Sequence, residues 1–250
     1  MLNRSRFLLF PVCLLVSAAL AAEPLTIAVA SNFARPMEAL IEAFETDSPH
    51  RVRLSIGSTG KLYAQIRHGA PFDAFFAADT QRPQRLEAEG AAAAGSRFTY
   101  AIGRLVLWSP EPGRVEAGGR VLGRDDFAHL AIANPRLAPY GLAARQTLEA
   151  LGLWETLQPR LVRGENIGQA FHFVRSGHAE LGLVAWSQLP HDNGRIRGSH
   201  WVVPASLYAP IEQQAVRLSD SDAARDFMRF MRSDRARALI HGFGYTTPGH

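Results

Sequence analysis

Cysteine is almost absent: Cys13 is the one thiol in 250 residues, and it lies in an apolar run near the start. That excludes a disulfide framework and a cysteine-ligated metal site. Lysine is equally scarce, Lys61 being the only one, so the basic balance rests on arginine. No basic run carries interleaved aromatics, which argues against nucleic-acid binding. After Leu20 no apolar stretch is long enough to cross a bilayer. No repeat of solenoid period occurs, and the only low-complexity run is Ala91 to Ala94.

Catalytic and metal motifs are missing as well. The nine histidines form no His-Glu-x-x-His pattern, and His172 and His178, six apart, fall off a common helix face. No Gly-x-Ser-x-Gly elbow is present. Gly57-Ser58-Thr59-Gly60-Lys61 resembles a nucleotide-binding loop only in part. The upstream glycine is missing and Leu62 follows the lysine, which leaves Lys61 as a rim residue. Asp73 reads as a structural partner and Asp79 as a loop or cap residue. No enzyme is expected.

What the chain does have begins with an export signal. Arg4 and Arg6 precede the apolar run Phe7 to Leu20, and Ala19-Leu20-Ala21 has the small-x-small form of a cleavage site. Residues 1–22 are therefore expected to be removed, after Ala21 or Ala22. Phe10-Pro11-Val12 ahead of Cys13 do not suit a lipoprotein. Without Arg4 and Arg6 the 27 basic residues become 25 against 23 acidic ones. The remainder suffices for one large domain or two modest lobes.

Leu25 to Ala30 reads as a buried strand, followed by a helix with Met37, Leu40, Ile41 and Phe44 on one face. Val52, Leu54 and Ile56 alternate as a second strand, leading to a helix with Leu62, Tyr63 and Ile66. Pro71 to Ala77 reads as a third strand, and a polar helix falls near Gln84 to Glu89. This β-α-β-α-β order implies a parallel sheet with polar loops at its carboxyl ends. Ile102 to Trp108 reads as one extended run crossing into a second lobe. Leu130 to Ala133 and Leu181 to Trp186 are strands there, and Leu142 to Leu151 a helix. Lobe 1 is thus expected from residues 23–101 plus 211–250, and lobe 2 from residues 102–210. The last forty residues read as mostly helical.

Four segments put small polar residues and glycine just ahead of apparent helices: Ser31-Asn32, Ser58-Thr59-Gly60, Pro139-Tyr140-Gly141 and Glu165-Asn166-Ile167. A helix start offers unpaired N–H groups and the positive end of a dipole, so it holds an anion without a charged side chain. Each contributes roughly half a unit of positive charge, so four balance a divalent anion in order of magnitude. Alone, each is an ordinary cap that binds only its own helix. Their combination on loops of both lobes points to a small oxyanion. The expected donors are the Ser31 and Thr59 hydroxyls, the Asn32 amide, and backbone N–H groups near Ser58, Tyr140 and Ile167, with Gly60 a further candidate.

These residues resemble the periplasmic molybdate-binding proteins of ABC importers. The resemblance is carried by Leu25 to Phe33, by Gly57 to Gly60 with Leu62 and Gln65-Ile66, and by Gly69 to Asp73 with Ala77-Ala78-Asp79. It continues through Ala133-Asn134-Pro135, Ala138 to Gly141, Gly164 to Ala170 and Glu180 to Val184, and ends near Gly242-Phe243. It implies a two-lobed α/β fold, each lobe a mainly parallel sheet flanked by helices, with molybdate or tungstate in the cleft. It implies a monomer in the periplasm that serves an inner-membrane permease and its ATPase. No cofactor is implied. Molybdenum would be held as its oxyanion through Ser31, Thr59, Tyr140 and Ile167, with no protein atom on the metal. Another branch of the family places a tyrosine hydroxyl where this chain has Ala185-Trp186. Asn32 is expected to replace it, and Trp186 is expected near the cleft. The alternatives are a carrier for sulfate or phosphate and, in another class, a secreted enzyme.

Overall fold

Leu25–Ala30 form the first strand, β1, and nearly every residue of it is buried. A strand without a solvent face needs cover on both sides of its sheet, and the chain supplies that cover in β-α order. The computed structural model describes residues 24–192 and 195–248. After β1 come helix α1 (Ala34–Thr46), strand β2 (Val52–Gly57), helix α2 (Thr59–Arg67), strand β3 (Ala74–Phe76) and helix α3 (Gln81–Ala88). Strand β4 (Phe98–Gly103) closes this part, and Arg104 carries the chain out of the sheet. The export segment expected at residues 1–22, with Cys13, lies outside the described residues.

The second unit opens with β5 (Leu105–Ser109) and β6 (Leu130–Ala133), then helix α4 (Pro139–Ala150) and the short helix α5 (Trp154–Leu157). Strand β7 (Leu161–Gly164), helix α6 (Ile167–Arg175) and strand β8 (Leu181–Ala185) follow. A small pair, β9 (His191–Asp192) and β10 (Arg195–Ile196), precedes β11 (Ser199–Val202). The chain then returns to the first sheet as β12 (Ile211–Arg217) and ends in helices α7 (Asp222–Phe230) and α8 (Asp234–Gly242).

The two five-stranded sheets have the orders β2-β1-β3-β12-β4 and β11-β5-β8-β6-β7. In the first, β1 pairs in parallel with β2 and β3, while β12 runs antiparallel to β3 and β4. In the second, β6 is parallel to β7 and β8, while β5 is antiparallel to β8 and β11. Each sheet is therefore mixed, where a mainly parallel one was expected. The strands that enter or leave a lobe, β4, β5 and β12, belong to the antiparallel halves.

Two further readings change. The run Ile102 to Trp108 is divided at Arg104 between the two sheets. The last forty residues open with seven residues of strand, β12. Glu212, Gln213 and Gln214 stand together in that strand and hide its alternation. It is nonetheless largely buried, because the glutamines find partners: Gln214 accepts from Arg97 at 2.8 Å and donates to Thr99 Oγ1 at 3.0 Å.

Met37, Leu40 and Phe44 of α1 pack with Ile27, Phe76 and Phe227 on one face of the first sheet. Leu62, Ile66, Phe75 and Leu86 cover the other. Each such side chain contributes about 1.5–3 kcal/mol when fully buried. The core of the second lobe includes Leu105, Leu130, Ile132 and Leu148, and it extends to Ala30 and Ala78 of the first lobe. The lobes therefore meet through apolar surface as well as polar loops. Trp186 sits at the first crossing, with the Arg104 guanidinium 4.4 Å from its ring centroid. No helix among the described residues is long and apolar enough to cross a membrane.

Candidate functional site

The four polar segments lie after β1, β2, β6 and β7, at the carboxyl ends of parallel strands. Open α/β sheets place their ligand sites at these ends. Here the two sets of ends face one another across a cleft. Ser31, Asn32, Ser58, Thr59, Tyr140 and Ile167 line one pocket, with about 180 Å³ of atom-free space including its mouth. No charged side chain lines it. Gly60 stands just outside, where its N–H donates to Leu137 O of the opposite lobe at 2.8 Å.

The local sequence explains why helices begin there. Ser58 caps α2 by accepting from Lys61 N at 3.4 Å, and Asn166 caps α6 by accepting from Gln169 N at 3.0 Å. Helix α4 has no side-chain cap and begins with proline, which loses nothing by lacking an N–H at a helix start. The remaining first-turn groups are used as well: Gly141 N donates to Ala138 O at 2.9 Å, and Gly168 N to Ser31 Oγ at 3.1 Å. The N–H groups of Thr59, Tyr140 and Ile167 have no acceptor within their own helices. All three residues line the pocket.

The two hydroxyls are held in a common way. Ser31 Oγ accepts from Gly168 N across the cleft, and Thr59 Oγ1 accepts from Ala78 N at 3.0 Å. With the acceptor side engaged, the O–H hydrogen is each group's remaining donor. Asn32 differs. Its Nδ2 donates to Gln213 Oε1 at 2.7 Å and to Tyr245 OH at 2.9 Å, and neither partner lines the pocket.

The surroundings are electrically neutral in the same sense. Burial pushes the phenols of Tyr100 and Tyr140 well above the usual tyrosine range, and that of Tyr245 above it, so all three stay uncharged. A larger groove beside the pocket, of about 640 Å³, is lined by Asp79 and Glu212 among others. Carboxylates at its wall make it unsuited to an anion, so the smaller pocket is the candidate. Asp79 caps its own turn by accepting from Arg82 N at 3.1 Å. Asp73 ties strands together, accepting from Thr26 N at 2.7 Å and Ser219 Oγ at 2.6 Å. Among the described residues no group of His, Cys, Asp and Glu could hold a metal ion.

Around the pocket the lobes are bound to each other. Lys61 Nζ lies 3.0 Å from Glu165 Oε1, and Ser187 Oγ donates to Asn32 O at 3.0 Å. Ser187, Gln213 and Tyr245 carry no motif, and sequence reading missed all three. Ser187 had one usable signal: it stands just after β8, much as Ser31 stands just after β1.

A family model for bacterial extracellular solute-binding proteins matches residues 25–246. The molybdate-binding protein ModA of Azotobacter vinelandii is 49% identical over 235 residues, 93% of each chain. ModA of Rhodobacter capsulatus is 44% identical over 223 residues, 88% of this chain and 87% of that one. The solved periplasmic molybdate-binding protein of Azotobacter vinelandii superposes with a TM-score of 0.87 at 45% identity, covering 90% of this chain and 99% of that one. The sulfate-binding protein SubI of Mycobacterium tuberculosis shares the fold, with a TM-score of 0.73 at 14% identity.

Proposed function

The chain belongs to the bacterial extracellular solute-binding proteins, and from that premise we propose that it captures molybdate in the periplasm and hands it to an ABC importer. The observation that carries this reading is the convergence of helix starts from both lobes on one pocket without charged side chains. A fully ionised oxyanion brings acceptors only, and such a pocket meets it with main-chain and hydroxyl donors and no carboxylate. The two relatives that cover most of the chain at 49% and 44% identity are both named molybdate-binding proteins, which favours molybdate over sulfate or phosphate.

In this reading the first lobe contributes the Ser31 and Thr59 hydroxyls with main-chain N–H groups of Asn32 and Thr59. The second contributes the N–H groups of Tyr140 and Ile167. Ser58 serves its own helix, and Gly60 serves closure. The anion binds one lobe first, and hinge closure completes its shell. Donors fixed for a larger tetrahedral ion reach sulfate poorly and leave buried N–H groups unpaired, a cost that sets selectivity. Tungstate shares the shape and charge of molybdate and is a second ligand on the same grounds. The protein acts as a monomer, without a covalent step, and its partners are the permease and the ATPase of the importer.

Native mass spectrometry with equimolar molybdate, tungstate, sulfate and phosphate tests the reading. One molybdate or tungstate per chain is expected. Tight sulfate binding beside negligible molybdate binding would overturn it.

A further inference from the structure

We propose that Gln213 and Tyr245 are positioning residues for the anion site and that Ser187 joins them when the lobes close. Together they hold Asn32 so that its main-chain N–H, and not its carboxamide, serves the pocket. The proposal rests on the reading that this pocket takes an oxyanion.

Asn32 is gripped from both ends. The Tyr245 hydroxyl accepts from Asn32 Nδ2 at 2.9 Å and donates to Asn32 O at 2.9 Å. Gln213 Oε1 accepts the other Nδ2 hydrogen at 2.7 Å and also takes the Tyr100 hydroxyl at 3.1 Å. No hydrogen of the carboxamide is left for a ligand. Asn32 is also the second residue of a short 3-10 turn, Ser31–Phe33, whose first amides have no acceptor within the turn. The residue lines the pocket, so its main-chain N–H is the donor it has to offer.

The cluster is buried and closely bonded. Asn32, Gln213 and Tyr245 are 2%, 0% and 4% exposed, and Asn32 Nδ2, Gln213 Oε1 and Tyr245 OH each have two or more partners. A buried network bonded in this way is stiff, because displacement strands a polar group in a poorly polarisable medium. Its members also come from separate parts of the chain. Gln213 stands in β12, directly after the return crossing, and Tyr245 follows the last helix. Ser187 belongs to the second lobe, and its hydroxyl lies 3.0 Å from Asn32 O and 2.8 Å from Tyr245 OH. That contact joins the two lobes. Closure and the orientation of one anion donor are thereby linked through a single residue.

The test uses the full mature chain, titrated with whichever of molybdate, tungstate, sulfate and phosphate the unaltered protein binds most tightly. Ser187→Ala is expected to leave the ligand-free Tm unchanged, since the bond is made between lobes. Affinity should weaken about tenfold, the equivalent of one hydrogen bond, mainly through faster release in stopped-flow. Gln213→Glu places a carboxyl behind a dianion, so affinity should fall as pH rises through that group's titration, a dependence absent from the unaltered protein. Unchanged affinity in both variants overturns the proposal. So does a loss that merely follows a lowered Tm without the pH dependence. Which anion the unaltered protein prefers decides the functional reading, whereas the ratio of variant to unaltered affinity decides this one.

Discussion

On the first lobe the pocket is edged by Ser31 and Thr59, whose hydroxyls accept backbone N–H groups and keep one hydrogen each to donate. On the second lobe it is edged by Tyr140 and Ile167, residues that are 1% and 2% exposed and belong to the core. In the proposed site the first lobe therefore offers side-chain hydroxyls in addition to main chain, and the second offers main chain alone. Where a side chain carries the donor, deleting the side chain removes the contact. Where the backbone carries it, only moving the helix start does.

The largest effect should follow from moving a helix start. A Cβ at Gly141 would lie 2.4 Å from Ala133 O and 2.7 Å from Ala133 C. Those are backbone atoms of a central strand and cannot yield. Gly141→Ala must push the first turn of α4 away from β6, and the Tyr140 N–H moves with it. The expected loss is about 1–3 kcal/mol of stability by thermal melting, together with a loss of anion binding by calorimetry that exceeds any single hydroxyl deletion. An alanine variant with unaltered affinity would show that the second lobe does not depend on where α4 begins.

Next in size is the direct contrast between the lobes. Ser31→Ala or Thr59→Ala should weaken molybdate binding by about 1–3 kcal/mol through a lost charge-assisted bond. Ile167→Val should lower stability by about 0.5–1.5 kcal/mol while leaving the affinity within experimental error, because the donated N–H is retained. The same two measurements, melting and titration, thus move in opposite proportion on the two sides. If Ile167→Val weakens binding as much as Ser31→Ala does, the distinction fails.

The same contrast explains what could be read from the sequence. Leu25 to Ala30 and the Met37, Leu40, Phe44 stripe declared their elements, because an apolar period needs only one segment to be seen. Ser31, Asn32 and Thr59 were visible for a related reason: polar residues ending a buried strand are conspicuous. Tyr140 and Ile167 entered mainly through the proline, glycine and asparagine that start their helices, since a main-chain donor leaves no mark on residue type. Strand β12 was missed because Gln213 and Gln214 are buried by long-range partners, Asn32 and Arg97. The mixed direction of the sheets was hidden for the same reason. Both depend on where the chain returns after the second lobe, which no local pattern states. The role of Asn32 was only half legible, since its position was evident and its engagement with Gln213 and Tyr245 was not.

The smallest expected effect lies where the two lobes meet in charge. Lys61 on α2 and Glu165 ahead of α6 pair at 3.0 Å, with side chains 52% and 44% exposed. Exposed pairs of this kind are worth little and are screened by salt. As a latch across the cleft, the pair should favour the closed form slightly, so Lys61→Gln and Glu165→Gln should each weaken binding about two- to threefold at low ionic strength. The double variant should be no weaker than either single one, since a broken pair cannot be broken twice. At high salt all three should match the unaltered protein. A different physics predicts a different sign. If Lys61 acts instead by attracting the anion over distance, removing Glu165 uncovers that positive charge and tightens binding. The direction of change in Glu165→Gln therefore separates a contact between lobes from an attraction toward the ligand.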